Sequence, residues 1–359
     1  MKVVLCWAGI AGYAGACWRA LARRPEIDLS IIALSHAATS TSPFENDLVR
    51  GLPCRLLDEH ERHDADRVAA LVVEQEPDIV HIPGWLLPAF RRLPRHPRLA
   101  GAKFILGMDT PRQYTLLQTL NRIRLAGLIR RMDRVIVPGE RAWQYARFLG
   151  APEAKIRRGA YGIDTAAIAP AYERRLRDPD GWPRRFLFVG RYVDEKGIDV
   201  LVEGYRRYRA GVSEPWPLDC CGVGPLGGSL KGTTGIHDLG FIQPDRQAEI
   251  WAGHGGFVLA SRFDPWPLVL AEACAAGLPV VCTEACGSSV ELVRNYHNGV
   301  AVATGDPQAL ADGLRWVHDN HARCPEIGLA AQQLAAAYSA ELWADRWVRM
   351  TTELAGTST

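Results

Sequence analysis

A chain of 359 residues, 48% hydrophobic and 23% charged, is too long for one ordinary core, so two domains are expected. No apolar stretch reaches the length of a membrane-spanning helix, and a formal charge of +2 weighs against nucleic acid as the partner. Nine scattered cysteines without a Cys-x-x-Cys pair argue against a disulfide framework or a zinc site and point to a reducing, cytoplasmic setting.

The opening MKVVLCWAGIAGYAGACWRA reads as strand, turn and helix, because one lysine and interrupting glycines do not make a signal peptide. Gly9, Gly12 and Gly15 do not form G-x-G-x-x-G, which disfavours a nicotinamide site. The loop serves either a tight turn with close helix packing or the close approach of a substrate to the backbone. Short runs (KVVLCW, LSIIAL, DIVHI, KFILG, RVIVP) then alternate with helical stretches such as DADRVAALVVEQE, predicting a parallel sheet with helices on both faces. His81, at the end of DIVHI, reads as a satisfied core histidine or as a group facing a cleft.

Charge is uneven along the chain. Residues 1–165 carry a net +7 and residues 166–359 a net −5, and 86–134 holds 11 basic residues against 2 acidic ones. That stretch is either a solvated helix face or a contact for anionic lipid headgroups or a phosphate-bearing acceptor. Nucleic acid is disfavoured, since no aromatics interleave with the arginines.

Near 166–184 the alternation stops in a Pro-, Arg- and Asp-rich segment read as an interdomain connection, with the boundary at 168/169. A second α/β run follows in RFLFVG, LDCCG, IHDLG, GFVLA, PVVC and GVAVAT, and Asp306-Pro307 reads as a helix start. The final amphipathic helix, about 340–359, suits packing against either domain and is assigned to the first. Two doubly wound domains in tandem bind ligands at the carboxyl ends of their strands, so chemistry is expected on strand-to-helix loops.

In FLFVGRYVDEKGID a strand ends at Gly190, Arg191 follows, and Lys196-Gly197 opens a helix. The two cations either pair with Asp194 and Glu195 or hold a diphosphate. In DPWPLVLAEACAAGLPVVC, Asp264 reads as the N-cap of a helix starting at Pro265 or as a ligand-binding acid. The cap does not explain Glu272, two turns deeper among Leu, Val, Ala and Cys, where a carboxylate is costly unless paired.

The motifs VGRYVDEKG, CCGVGP, LGFI, LASRFDPWPLVLAEACAAGLPVV, CGSSVELV and NGVAV, in this order and spacing, resemble glycosyltransferase family 4. The resemblance implies a GT-B fold: two doubly wound Rossmann-like domains facing across a cleft, with an acceptor domain at 1–168 and a nucleotide-sugar domain at 169–339. It implies a retaining, metal-independent hexosyltransferase with no cofactor, using a UDP- or GDP-linked sugar and a glycan, lipid-linked or small-molecule acceptor, as in polysaccharide biosynthesis. A cytoplasmic enzyme is expected, peripheral at the inner membrane face through 86–134. Arg191 and Lys196 match the family's pyrophosphate binders, and Glu272 the acid that holds the nucleotide ribose. Asp264 falls at the first acid of Glu-x7-Glu, near the donor sugar. Gly287 and Glu291 fit the G-G-x-x-E turn, with Ser288 replacing its second glycine. Gly222 and Gly224 match the loop under the nucleotide, and Gly9, Gly12, Gly190 and Leu268 complete the expected donor set.

Three positions depart from the family pattern. Asp264 is one methylene shorter than the usual Glu, and Pro267 replaces a Gly and so lacks an N–H. Met108-Asp109 stands where many members have His, leaving Asp109 as either the polar group near the reacting sugar or a turn residue before Thr110-Pro111. The rival readings are a GT-B-like nucleotide-sugar epimerase, which needs no acceptor, and a non-catalytic sugar-nucleotide binder.

Overall fold

A computed structural model describes residues 1–10, 12–35, 46–243 and 246–356, except the side chains of 46 and 47. Two compact units emerge. One holds the described residues up to Gly162 together with Ala340 onward, and the other runs from Ile163 to Ser339.

The first unit is built on a parallel sheet of seven strands in the order β3-β2-β1-β4-β5-β6-β7. They are β1 (Lys2–Trp7), β2 (Asp28–Leu34), β3 (Cys54–Leu57), β4 (Ile79–Pro83), β5 (Lys103–Gly107), β6 (Arg134–Val137) and β7 (Ile156–Arg158). Alternation of side chains along β1 feeds two cores. Val4 and Cys6 join Val68, Val72 and Tyr145 on one face. Val3 and Leu5 join Trp18, Leu21, Trp343 and Trp347 on the other. The helix Ala340–Gly356 thus belongs to the first unit; residues 357–359 of the expected helix lie outside the described residues. Trp343 Nε1 donates to the Ala160 carbonyl at 2.9 Å, and Arg24 pairs with Glu341 and Asp345, each at 2.9 Å.

The second sheet has six parallel strands in the order β10-β9-β8-β11-β12-β13. These are β8 (Phe186–Val189), β9 (Leu218–Cys221), β10 (Ile236–Gly240), β11 (Gly256–Leu259), β12 (Val280–Thr283) and β13 (Gly299–Val302). Asp306 caps the helix Pro307–Asp319, accepting from Gln308 N and Ala309 N. Strand order reverses between β1 and β4 in one sheet and between β8 and β11 in the other, and crevices form where the order reverses.

The segment read as a connection is not irregular. It holds the helices Thr165–Ile168 and Pro170–Leu176, and Ile163–Ile168 lies in the second unit. Its arginines mislead, because Arg175 is 1% exposed. The Arg175 guanidinium donates to the carbonyls of Trp251 (2.5 Å), Gly277 (3.1 Å) and Ala276, and lies over the Trp182 ring at 4.7 Å. It thereby caps the C-terminal ends of the helices Gln247–Ala252 and Leu268–Ala275, where orphan carbonyls and the helix dipole favour a cation. Burial pushes its pKa down to about 9. Arg175→Ala strands three buried carbonyls at about 1–3 kcal/mol each, so a stability loss of at least about 3 kcal/mol is expected, read as a lower urea midpoint.

Candidate functional site

In the second unit the loops after β8 and β11 bring one expected anion binder, Lys196, against the acid Asp264. Lys196 Nζ lies 2.5 Å from Asp264 Oδ2, and both side chains are largely buried. The turn is fixed by Gly197, whose φ of +63° suits glycine and whose Cβ, if added, would sit 2.1 Å from the Ala260 carbonyl. Arg262 N and Phe263 N donate to the Glu195 carbonyl at 2.8 and 3.2 Å, tying the two loops together.

Asp264 is not a helix cap. The helix begins at Leu268 with Pro267 as its N-cap, and Asp264 lies earlier, in an isolated bridge with Cys286. Prolines at 265 and 267 disfavour the helical conformation at Asp264 and Trp266, so the helix starts only at Leu268. Lys196 is likewise not held by Asp194 or Glu195 but by Asp264, across the two loops.

Other expected donor residues of the second unit hold its neighbouring loops, whereas Gly9 and Gly12 lie in the first unit. Gly190 N donates to the Cys221 carbonyl (3.0 Å), Gly222 N to the Gly240 carbonyl (2.8 Å) and Gly287 N to the Asp264 carbonyl (2.9 Å). Gly224 precedes the short 3-10 helix Pro225–Leu230. Ser288 is fully buried and bonds the Pro267 carbonyl at 3.1 Å, so its hydroxyl ties the turn to the helix start. Glu291 accepts from Trp266 Nε1 at 3.3 Å. Arg191 is exposed and forms no ion pair among the described residues.

Glu272 lies on the helix Leu268–Ala275. Burial, with Asp164 nearby, pushes its carboxyl up to about 7, and no side-chain hydrogen bond satisfies it among the described residues. In a ligand-free protein such a group destabilises the fold as pH rises from the ordinary carboxylate range to about 7, because only the unfolded chain has released the proton. A pair of donor hydroxyls reverses this by stabilising the anion.

Glu272→Gln is expected to weaken nucleoside diphosphate binding by one to two powers of ten, from the roughly 1.5–3 kcal/mol of hydrogen bonds to a charged acceptor. Wild-type affinity should also rise with pH through about 7 more steeply than that of Glu272→Gln, which removes this titration but not the ligand's own. Calorimetry at several pH values checks both; parallel curves would return Glu272 to a purely structural role.

The first unit holds a cavity of about 630 Å³ where the C-terminal ends of β1 and β4 diverge. Gly9 and Asp109 line it, with Trp7, Tyr13, His81, Trp85 and Tyr161. Gly12 is the first residue of the helix Gly12–Ala22, and Gly15 packs so closely that a Cβ would lie 2.7 Å from the Leu48 carbonyl. The glycine loop therefore serves helix packing at Gly15 and the cavity wall at Gly9. Asp109 accepts from the Tyr161 hydroxyl at 2.8 Å. Met108, itself largely buried, lines the same cavity beside Asp109 and Thr110, and Asp109 is the acid this loop brings to it.

Tyr161 is the cavity group that sequence reasoning missed, and His81 is both of the things it was read as, a buried histidine and a cavity wall group. His81 is 2% exposed, and its Nδ1 lies 3.0 Å from the Cys6 carbonyl, which can only accept. Nδ1 therefore carries the proton, leaving Nε2 as an acceptor turned toward Gly107 on the cavity wall. Burial lowers its pKa to about 4 and keeps the ring neutral. Among the described residues, no three His, Cys, Asp or Glu side chains converge as a metal site.

Residues 8–162 match the family model described as glycosyl transferase 4-like domain, and residues 183–320 match glycosyl transferases group 1. The amylovoran biosynthesis glycosyltransferase AmsK of Erwinia amylovora is 30% identical over 56% of this chain and 51% of its own length. An exopolysaccharide phosphotransferase of Streptomyces coelicolor is 27% identical over 49% of this chain and 20% of its own. The matches thus span a fifth to about half of these relatives' own length. Among solved structures, Anabaena HepE in complex with UDP superposes with a TM-score of 0.76 at 17% identity, covering 98% of this chain and 100% of that one. The architecture is accordingly GT-B, two Rossmann-like domains. With both halves matched to glycosyltransferase domains and a GT-B architecture throughout, the chain belongs to the group 1 glycosyltransferases.

Proposed function

We propose that the protein is a retaining glycosyltransferase that moves a hexosyl group from a nucleotide diphosphate to an acceptor, without a metal. The observation that carries this reading is the Lys196–Asp264 pair at the reversal point of the second sheet, with an exposed Arg191 that forms no ion pair, and a Glu272 that makes no side-chain hydrogen bond, among the described residues. Lys196 and Arg191 take the diphosphate, and Glu272 takes the ribose hydroxyls. As the sugar leaves, negative charge grows on the diphosphate. The two cations and the unpaired N–H groups at the start of helix Leu268–Ala275 stabilise it. The departing phosphate oxygen takes the acceptor's proton on the face it leaves, so the anomeric configuration is retained. The aromatic walls of the first unit's cavity, with Asp109 and the His81 Nε2, suit a sugar-like acceptor.

Thermal shift against UDP- and GDP-linked sugars identifies the donor, since a ligand at a hundred times its Kd adds about 2.7 kcal/mol of stability. UDP-sugars come first, because the Anabaena neighbour was solved with UDP. NMR of the product then reads its anomeric configuration. Retention, unaffected by EDTA, is expected. Inversion, or loss of activity on chelation with rescue by Mg²⁺ or Mn²⁺, contradicts the mechanism. Sugar isomerisation without an acceptor would identify an epimerase instead.

A further inference from the structure

The helix Leu116–Arg124 is turned inside out. Leu116, Leu117, Leu120 and Ile123 are 85, 60, 56 and 78% exposed, while Gln118 is 5% exposed. At 3.6 residues per turn, Leu116, Leu120 and Ile123 share one face and Gln118 points the opposite way. The Gln118 amide is engaged inside, donating to the Pro111 carbonyl and accepting from Gln113 N, each at 2.8 Å. The apolar face is therefore presented outward by hydrogen bonds that hold the polar face in. Leu86, 84% exposed, and Leu117 also line the 630 Å³ cavity, so the apolar surface runs into its mouth.

Cations frame this face. Arg122 and Arg124 lie on the same helix, and Arg130 and Arg131 end the next one, Ala126–Arg131. Arg95 reaches toward Gly127 of that second helix. All five are exposed, and none forms an ion pair among the described residues. Exposed leucines alone would suit a protein partner, but leucines framed by unpaired arginines match acyl chains below anionic headgroups. No helix among the described residues is long and apolar enough to cross a membrane, so the contact is with a surface.

We propose that Leu116–Arg124 docks the chain on an anionic bilayer and that the acceptor entering the adjoining cavity is lipid-linked. This rests on the transferase reading for the word acceptor, but the docking itself does not.

The test is sedimentation of the full chain with phosphatidylcholine vesicles, with and without about a third phosphatidylglycerol. Wild type should pellet with the anionic vesicles, and raising salt should weaken but not abolish this. Combined Leu116→Ser, Leu120→Ser and Ile123→Ser should cut partitioning at least tenfold with an unchanged melting temperature, since these side chains are exposed. Arg122→Glu with Arg124→Glu should cut it to a similar degree for the anionic vesicles. Failure of wild type to bind either vesicle, or unchanged binding by the triple variant, overturns the docking site. With a radiolabelled donor and vesicles from the host's membranes, label should enter the organic phase; label confined to water-soluble product overturns the lipid-linked acceptor. Vesicle binding without donor binding would contradict the transferase reading alone.

Discussion

Lys196→Ala and Arg191→Ala are each expected to cut sugar transfer by at least about a hundredfold, the scale for losing one preorganised group that stabilises transition-state charge. The two substitutions should differ in what else they change. Arg191 is exposed and without an ion pair among the described residues, so its loss should leave the free protein's melting temperature unchanged. Lys196 is largely buried against Asp264, so its loss leaves a carboxylate with no counter-charge beside the proposed diphosphate site. Lys196→Ala should therefore weaken nucleoside diphosphate binding more than Arg191→Ala does, by repulsion as well as by lost attraction. Steady-state kinetics with calorimetry checks this. Near-normal transfer in either variant removes the diphosphate assignment.

Asp264→Asn is expected to reduce turnover by about a hundredfold while changing stability little. At 2.5 Å the carboxylate fixes the Lys196 ammonium, and the amide keeps its shape but loses its charge. Two roles are open to this acid, and a double-mutant cycle separates them. If Asp264 works by aiming Lys196, adding Asp264→Asn to Lys196→Ala costs nothing further. If it also touches the donor sugar, the double variant falls below Lys196→Ala by tenfold or more. Asp264→Glu tests the shorter acid beside Pro267, and a changed preference among donor sugars is expected, read as kcat/KM ratios. Wild-type turnover and donor preference in both variants would reduce Asp264 to a scaffold residue.

Strands with β-branched or apolar runs were legible because burial on both faces demands them; β5 and β11 fall where KFILG and GFVLA are read. Two edge strands were not. β3 is only Cys-Arg-Leu-Leu after a proline, and β7 only Ile-Arg-Arg, too short for any period to register. The arginines of β7 point to opposite faces, Arg157 pairing with Glu353 at 2.8 Å and Arg158 with Glu140. Missing β7 also hid Tyr161, just beyond it, and with it the partner of Asp109.

Arg175 shows the same limit from the other side. A charged residue in a Pro- and Asp-rich stretch reads as solvated, and only the fold brings three carbonyls to it. At the site, residue types and loop positions were legible. Pairing was not, because Lys196 and Asp264 are 68 positions apart and join only when β8 and β11 lie side by side. The cap reading of Asp264 failed for a local reason: two prolines delay the helix to Leu268.

Sugar transfer from a nucleotide diphosphate is read out by release of nucleoside diphosphate from a panel of UDP- and GDP-sugars. The wild-type protein should release it from at least one donor, slowly to water and faster with acceptor-bearing membranes, and Lys196→Ala should lower that rate at least about a hundredfold. Tight binding of a donor with no release from any member of the panel would make the protein a sugar-nucleotide binder and not a transferase.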